Sequence, residues 1–178
     1  DDNDRTIIGC GQPLHTGGFG NTFNFYGFDL NIFFSWSYGN DVINANRLYF
    51  ENGSITNTNQ LKTYTNRWSE KNPTSDIPRV GADIASMFVY SSRVVEDASF
   101  LRLRNVTLGY TLPKSIISKA KLDNVRIYTN IQNVATFTEY SGYDPEIGAS
   151  TASPNVMGLD NGRYPSPTVW SFGLNVTF

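Results

Sequence analysis

The stretch Trp170-Ser171-Phe172-Gly173-Leu174-Asn175-Val176-Thr177-Phe178 decides how the rest of the chain is interpreted. Every second residue is apolar, and the residues between them are small or polar. In a β-strand this alternation puts an apolar row on one face and a polar row on the other. A soluble sheet buries such an apolar face in a core, whereas a transmembrane barrel turns it toward lipid and its polar face toward the lumen. The preceding sequence has to distinguish these two environments.

Composition narrows the class of protein. The chain has 178 residues, a net charge of −2 and a pI near 5.3, so a nucleic-acid-binding surface is not expected. Charged residues make up only 17% and aromatic residues 14%, a mixture that suits an all-β protein with polar loops or an outer-membrane barrel. No apolar run approaches the roughly 18 residues of a membrane helix, which excludes helical spans only, because barrel strands alternate.

Residues suited to catalysis or metal binding are scarce. Cys10 is the only cysteine and His15 the only histidine, so neither a disulfide within the chain nor a multi-histidine metal site can be built. Asp144 and Glu146 flank a proline in a polar stretch, where a structural loop motif is favoured over an acid–base pair. We therefore expect no enzymatic activity, no metal and no cofactor.

Alternation predicts five strands, and the last of them contains the opening stretch. The first two form a hairpin, each near the 9–11 residues of a tilted membrane strand. Trp36 and Tyr38 fall at the end of the second strand, where an interfacial aromatic girdle would lie. In the third strand the apolar parity switches around Arg104, which predicts either a β-bulge or a strand that extends beyond the membrane. The predicted strands are 17–26, 29–38, 99–111, 125–132 and 164–178.

The connections between these strands alternate in length. Two are short, and two are long loops of about 39–98 and 133–163. Short periplasmic turns and long extracellular loops are typical of outer-membrane barrels. Closed bacterial barrels use even strand numbers from about eight upward, so we expect further strands from elsewhere. The polar start at Asp1, without an initiator methionine, suggests a processed product or a fragment.

Several ordered motifs resemble one family. The strongest is Val95-Glu96-Asp97-Ala98-Ser99-Phe100-Leu101-Arg102-Leu103-Arg104-Asn105, which continues to Leu108-Gly109-Tyr110-Thr111-Leu112-Pro113. Others are Gly27-Phe28-Asp29-Leu30, Tyr140-Ser141-Gly142-Tyr143-Asp144-Pro145-Glu146 and the tail from Tyr164 to Phe178. In this order they resemble the final strands of SusC/RagA-type TonB-dependent transporters, over nearly the whole chain.

The resemblance implies a fold and a role. The fold would be an all-β antiparallel transmembrane barrel of about 22 strands, of which this chain supplies about the last five, while the plug lies outside it. The role would be import of oligosaccharides or peptides across the outer membrane of Bacteroidetes-type Gram-negative bacteria. The implied partners are the remaining barrel and plug, TonB, a SusD-like lipoprotein lid and the outer-membrane assembly machinery.

Three groups of residues are functional candidates under this interpretation. Loop aromatics could contact substrate or lid, although packing of the loops against one another is favoured for any single one of them. Polar residues of the fourth strand could face the lumen, and the aromatic end could be an assembly signal. The loop aromatics are Tyr64, Trp68, Tyr140 and Tyr143, the lumen candidates Arg126, Tyr128, Asn130 and Gln132, and the signal residues Trp170, Phe172, Leu174, Val176 and Phe178. The alternative function is a soluble all-β carbohydrate-binding module with surface aromatics.

Overall fold

Among the residues that the structure describes, five long strands pair in one antiparallel sheet, and three short strands form a second sheet. In the computed structural model, residues 3, 5–55, 57–81, 89–148 and 156–178 are described. Parts of both predicted long loops, 82–88 and 149–155, lie outside the described residues. The strands are β1 (His15–Phe25), β2 (Phe28–Tyr38), β3 (Asp41–Asn44), β4 (Val95–Asp97), β5 (Phe100–Thr111), β6 (Asn124–Thr138), β7 (Leu159–Asp160) and β8 (Val169–Thr177).

The helical segments of the described residues are short. The α-helices are α1 (Ala45–Phe50) and α2 (Lys114–Ile117), and 3-10 turns cover Lys62–Asn66, Ser92–Val94 and Ser118–Ala120. No helix in the described ranges has the length and apolarity needed to span a membrane.

The chain forms two compact units. The sheet unit comprises residues 15–38, 100–138 and 165–178, and the loop unit comprises residues 1–14, 39–99 and 139–164. The large sheet belongs to the sheet unit and has the order β1-β2-β5-β6-β8. Each strand of this sheet therefore pairs with the strand of the same sheet that comes next in sequence, which is the connectivity of an up-and-down meander.

A tight turn fixes the register of the first hairpin. Phe25 pairs with Phe28, and the two residues between them, Tyr26 and Gly27, both have positive φ, at 46° and 86°. Such a two-residue turn matches the twist of the flanking strands. A Cβ on Gly27 would also come within 2.9 Å of the carbonyl oxygen of Thr111, so this turn position needs glycine.

The predicted bulge at Arg104 is confirmed. Phe33 pairs with Asn105 and Phe34 with Leu103, so Arg104 is the extra residue in the ladder with β2. This extra residue moves the apolar positions from odd to even numbers along β5. Arg104 Nε donates a hydrogen bond of 3.0 Å to Ser35 Oγ.

Two predicted boundaries are wrong. β6 runs to Thr138 rather than 132. Asn133 takes a positive φ of 51°, which makes the ladder with β5 irregular between Leu103 and Asn105, but the pairing resumes beyond it. The last strand begins at Val169 rather than 164, since Pro165 and Pro167 have no N–H to donate to a ladder. The second long loop therefore covers 139–168 rather than 133–163.

The loop unit has its own small sheet. β3 pairs antiparallel with β4 and parallel with β7, so segments of both long loops are hydrogen-bonded in one sheet. Two apolar clusters pack within this unit. One contains Val42, Ala98, Tyr140 and Ile147, and the other contains Ala45, Leu48, Val94, Ile43 and Leu159.

Candidate functional site

One face of the large sheet is apolar and exposed. The pairing places the apolar positions of all five strands on the same side; Ile131, for example, lies opposite both Val106 and Trp170. Phe172 is 79% exposed and Trp170 62% exposed, whereas side chains of the middle strands such as Phe34 are half-buried among their neighbours. A soluble monomer rarely exposes so large an apolar surface, so this face requires an apolar partner or a membrane.

The terminal strand continues this apolar face. Trp170, Phe172, Leu174 and Val176 alternate with polar positions along β8, and all four are exposed. Phe178 follows the strand and is 92% exposed. The residues predicted as an assembly signal thus share one accessible apolar row, and their role as a signal stays a prediction.

The opposite face of the sheet is polar and extensively hydrogen-bonded. Asn130 Nδ2 donates to Asn105 Oδ1 and to Thr107 Oγ1, both at 2.8 Å. Farther along, Arg102 Nε donates to Thr136 Oγ1 at 2.9 Å. These bonds join β5 to β6 through side chains as well as through the backbone ladder.

An ion pair on the polar face joins two strands that are not neighbours. Arg126 of β6 donates through Nε to Asp29 Oδ1 of β2 at 2.8 Å, and through Nη2 to the second carboxylate oxygen. β5 lies between them, and its Gly109 pairs with Asp29 while its Thr111 pairs with Arg126. A Cβ on Gly109 would clash with both the Asp29 carboxylate and the Arg126 guanidinium, so glycine makes the crossing sterically feasible.

The predicted lumen candidates all lie on this polar face. Arg126, Tyr128, Asn130 and Gln132 pair with Asn175, Gly173, Ser171 and Val169 of β8, respectively. The guanidinium of Arg126 stacks over the ring of Tyr128 at 4.9 Å. The partner Asp29 was missed by sequence reasoning, although it is the charged residue at a polar position of the predicted second strand.

The single histidine has a structural environment. Trp36 Nε1 donates a hydrogen bond of 3.1 Å to His15 Nδ1, and the imidazole stacks on Tyr38 at 5.1 Å. Trp36 and Tyr38, predicted as interfacial aromatics, thus lie at the end of β2 together with His15 of β1. Among the described residues no group of His, Cys, Asp or Glu is placed to hold a metal ion.

The four loop aromatics fall into two classes. Tyr64 and Tyr140 are only 4% and 5% exposed, so they pack the loop unit and are not accessible as stacking surfaces. Tyr143 is 77% exposed and Trp68 is 38% exposed. Only these two of the four retain the accessibility that contact with a substrate or lid requires.

Tyr140 is anchored by a carboxylate. Its hydroxyl donates a 2.6 Å hydrogen bond to Asp160 Oδ2, and Asp160 Oδ1 accepts the backbone N–H of Arg163. Burial, and then the hydrogen bond to Asp160, raise the pKa of the Tyr140 phenol. The phenol therefore stays a neutral donor at physiological pH.

A buried carboxylate connects several parts of the first long loop. Glu51 is 1% exposed and forms ion pairs with Arg47 at 3.1 Å and Arg93 at 2.8 Å, and it accepts the hydroxyl of Thr63 at 2.7 Å. Charges this deeply buried are tolerated when they are paired and hydrogen-bonded. These contacts therefore order the loop around α1.

Asp144 and Glu146 behave as a structural motif. Asp144 is 2% exposed, and its Oδ1 accepts the backbone N–H of Glu146 at 3.0 Å. This is the local side-chain-to-backbone bond with which aspartate stabilises turns. The geometry agrees with a loop motif rather than an acid–base pair.

No family model matches the chain. Curated sequences do match it over almost its full length. The TonB-dependent receptor P3 of Formosa agariphila is 37% identical over 179 residues, which cover 98% of this chain. The TonB-dependent receptor SusC of Bacteroides thetaiotaomicron is 32% identical over 89 residues, or 49% of this chain.

Solved structures place the fold in the same group. The RagAB peptide importer in its closed-closed state aligns with 97% of this chain at a TM-score of 0.79 and 29% identity. Its open-open state aligns with 94% at a TM-score of 0.77 and 30% identity.

The chain belongs to the TonB-dependent receptors of the SusC/RagA type. Its five-stranded antiparallel sheet is accordingly a segment of a large outer-membrane barrel. The chain spans 17% of the length of receptor P3 and 18% of the aligned RagAB chain. Relatives of this SusC/RagA-type segment are receptors and transporters, not enzymes.

Proposed function

We propose that this SusC/RagA-type chain forms the carboxy-terminal wall, and part of the extracellular loops, of a TonB-dependent nutrient importer of the outer membrane. The apolar face of the sheet contacts lipid. The polar face, with Arg126, Tyr128, Asn130 and Gln132, lines the lumen or contacts a plug inside the barrel.

The contrast between the two units carries this proposal. In the loop unit, Val42 and Val94 belong to apolar clusters and are almost fully buried. On the apolar face of the sheet, Phe172 and Leu174 are mostly exposed, while on the opposite face Asn130 bonds to Asn105 and Thr107. A membrane-facing sheet benefits from that arrangement, because lipid solvates its apolar face.

The partners follow from the same proposal. The outer edges of β1 and β8 are unpaired among the described strands of this sheet, so further barrel strands would pair there. TonB would act through a plug, and a SusD-like lipoprotein would cover the extracellular mouth. The substrate class is oligosaccharide or peptide.

Localisation and energy coupling test the proposal. The full-length protein should fractionate with the outer membrane of a Bacteroidetes-type host, and uptake should require TonB. A soluble carbohydrate-binding module would instead remain in solution without detergent. Recovery of the protein as a folded soluble monomer would contradict the barrel assignment.

A further inference from the structure

The connection between β5 and β6, residues 112–123, concentrates positive charge. Three of the five lysines of the chain, Lys114, Lys119 and Lys121, lie there within a stretch of eight residues. Asp123 is the only acidic residue of this connection, so its net charge is +2, whereas the whole chain carries −2. We call residues 112–123 the basic turn.

The three lysines of the basic turn are available to a partner from outside. All three are exposed, and no ion pair among the described residues involves any of them. The arginines of the sheet unit instead donate hydrogen bonds on its polar face, as Arg126 does to Asp29. The positive charge of the basic turn is therefore not neutralised within the part of the chain that the structure describes.

Backbone hydrogen bonds hold both ends of the basic turn. The N–H of Leu112 donates to the carbonyl of Val125 in β6 at 2.9 Å, and the N–H of Asp123 donates to the carbonyl of Thr177 in β8 at 2.8 Å. Between these bonds the chain forms α2 and the 3-10 turn that follows it. A charged surface on an ordered backbone loses less conformational entropy when it binds.

The basic turn lies at the end of the apolar face of the sheet. Val125 begins the apolar row of β6 and is 7% exposed, although Ile127, the next residue of that row, is 53% exposed. α2 approaches β6 at this end, and its Ile117 is buried. The turn therefore shields the end of the apolar row, while the neighbouring Ile116 presents an exposed apolar side chain.

Aromatic side chains lie at the same end of the sheet. The rings of Phe28 in β2 and Tyr110 in β5 are 4.5 Å apart, and Tyr26 of the first hairpin turn is exposed. The N–H of Thr111 donates to the carbonyl of Gly27 at 2.7 Å, which brings this hairpin turn beside the start of the basic turn. In membrane barrels such aromatic girdles mark the boundary between the hydrocarbon core and the lipid headgroups.

The sequence of apolar face, aromatic rings and lysines corresponds to the layers of a membrane surface. Lipid headgroups, with their anionic phosphates, lie beyond an aromatic girdle. Lysine binds phosphate as a point charge, and its long stem packs along apolar surface while the ammonium group stays among the headgroups. Each lysine close to an anionic membrane strengthens binding by roughly fivefold.

We propose that the basic turn binds the anionic headgroups of phospholipids in the periplasmic leaflet of the outer membrane. The proposal rests on the proposed function, because the short turns of such a barrel face the periplasm. Charge complementarity selects this occupant: a headgroup with a net negative charge neutralises the unpaired lysines, and a zwitterionic headgroup does so less well. Ile116 adds an apolar contact with the adjoining acyl chains.

Lipid retention by the full-length receptor tests this proposal. The receptor is equilibrated in detergent with an equimolar mixture of phosphatidylglycerol and phosphatidylcholine, and native mass spectrometry measures the ratio of the two lipids that remain bound. The unmodified receptor should retain an excess of phosphatidylglycerol. Lys114→Gln combined with Lys119→Gln should reduce that excess by roughly fivefold.

Two control variants separate the lipid site from other effects of the substitutions. Lys114→Arg combined with Lys119→Arg keeps both charges and should preserve the excess of phosphatidylglycerol. Lys62→Gln combined with Lys71→Gln removes two exposed lysines of the loop unit. This second control changes the net charge of the receptor by the same amount and should leave the lipid ratio unchanged.

Three results would overturn the lipid assignment. The first is a lipid ratio that does not depend on Lys114 and Lys119. The second is an equal reduction in the variant of Lys62 and Lys71, which would reflect net charge alone. The third is binding to purified peptidoglycan that depends on Lys114 and Lys119 in a receptor without lipid selectivity.

The failure of this proposal is distinguishable from failure of the proposed function. Outer-membrane fractionation and TonB-dependent uptake are measured on the same variants. A correctly localised importer without selectivity for phosphatidylglycerol refutes only the lipid site at the basic turn. A protein found outside the membrane refutes the proposed function.

Discussion

Arg126 and Asp29 form an ion pair across an intervening strand. Their side chains meet above Gly109, the residue of the intervening strand β5 that pairs with Asp29. The ion pair therefore fixes the relative positions of three strands, whereas each backbone ladder fixes the relative positions of only two.

Removing one partner of this ion pair should destabilise the sheet. Asp29→Asn leaves the partly buried Arg126 without its counter-charge and should lower the free energy of unfolding by about 1–3 kcal/mol. The measurement is urea unfolding of the full-length receptor in detergent. Asn31→Ala, which removes a hydrogen bond to Thr22 on the same face, serves as the control and should cost less. Equal losses of unfolding free energy in the two variants would show that the ion pair stabilises the sheet no more than the Asn31–Thr22 hydrogen bond does.

The contact between Tyr128 and Gly173 predicts a compensating pair of substitutions. A Cβ at Gly173 would clash with the ring of Tyr128, so Gly173→Ala should destabilise the protein by about 1–3 kcal/mol. Tyr128→Ala in the same chain should recover part of that loss, which a double-mutant cycle measures. Gly148→Ala is the control, because no atom of the described residues lies within 4 Å of the point that its Cβ would occupy. Strictly additive effects of the two substitutions would contradict steric coupling.

The assignment of the apolar face to lipid predicts a face-dependent response to charge. Phe172→Arg should reduce barrel stability by about 2–4 kcal/mol if the residue lies near the middle of the bilayer. Ser171→Arg changes the neighbouring residue on the polar face and should be tolerated far better. Folded receptor is quantified in vesicles from its heat-dependent shift in electrophoretic mobility. A larger loss of stability for Ser171→Arg than for Phe172→Arg would contradict the assignment of the apolar face to lipid.

Deletion of Phe178 should impair assembly more than it impairs stability. The side chain is 92% exposed beyond the end of β8, so it contributes little to packing within this sheet. The level of folded receptor in the outer membrane should fall, while the melting temperature of the receptor that does assemble should change little. Phe178→Tyr keeps an aromatic residue at this position and is expected to assemble normally.

Tyr140 predicts a loss of loop stability at high pH. Because burial and the bond to Asp160 raise the phenol pKa in the folded state, its contribution is fully present below the unfolded pKa of about 10 and is lost as pH rises toward the folded pKa. Protease resistance of the loop unit should therefore fall above about pH 10 in the unmodified protein. Tyr140→Phe should be weaker at pH 7 and should show a smaller alkaline decline. Parallel pH profiles for the two proteins would assign the decline to other groups.

Strict alternation made the long strands predictable. In β2 and β8 every second residue is apolar, and the parity switch at Arg104 was visible because Leu103 and Val106 fall on different parities. The continuation of β6 was not visible, since Asn133 interrupts the pattern with a left-handed conformation that usually marks a turn.

The loop unit could not be predicted from local sequence. Its strands are two to four residues long, too short for any period to emerge, and they are stabilised by partners distant in the chain. The same limit applies to single residues: Tyr64 and Tyr143 look alike in the sequence, yet one is buried and the other is exposed. That difference arises from tertiary packing alone.

The parallel pairing of β3 with β7 has a consequence for exchanging recognition between receptors. Ile43 and Asn44 lie in the first long loop, and their partners Leu159 and Asp160 lie in the second. A chimaera that receives only one of these loops would combine β3 of one receptor with β7 of another, so the pairing of the small sheet would be disrupted. Recombination or grafting should therefore succeed only when both loop segments are transferred together.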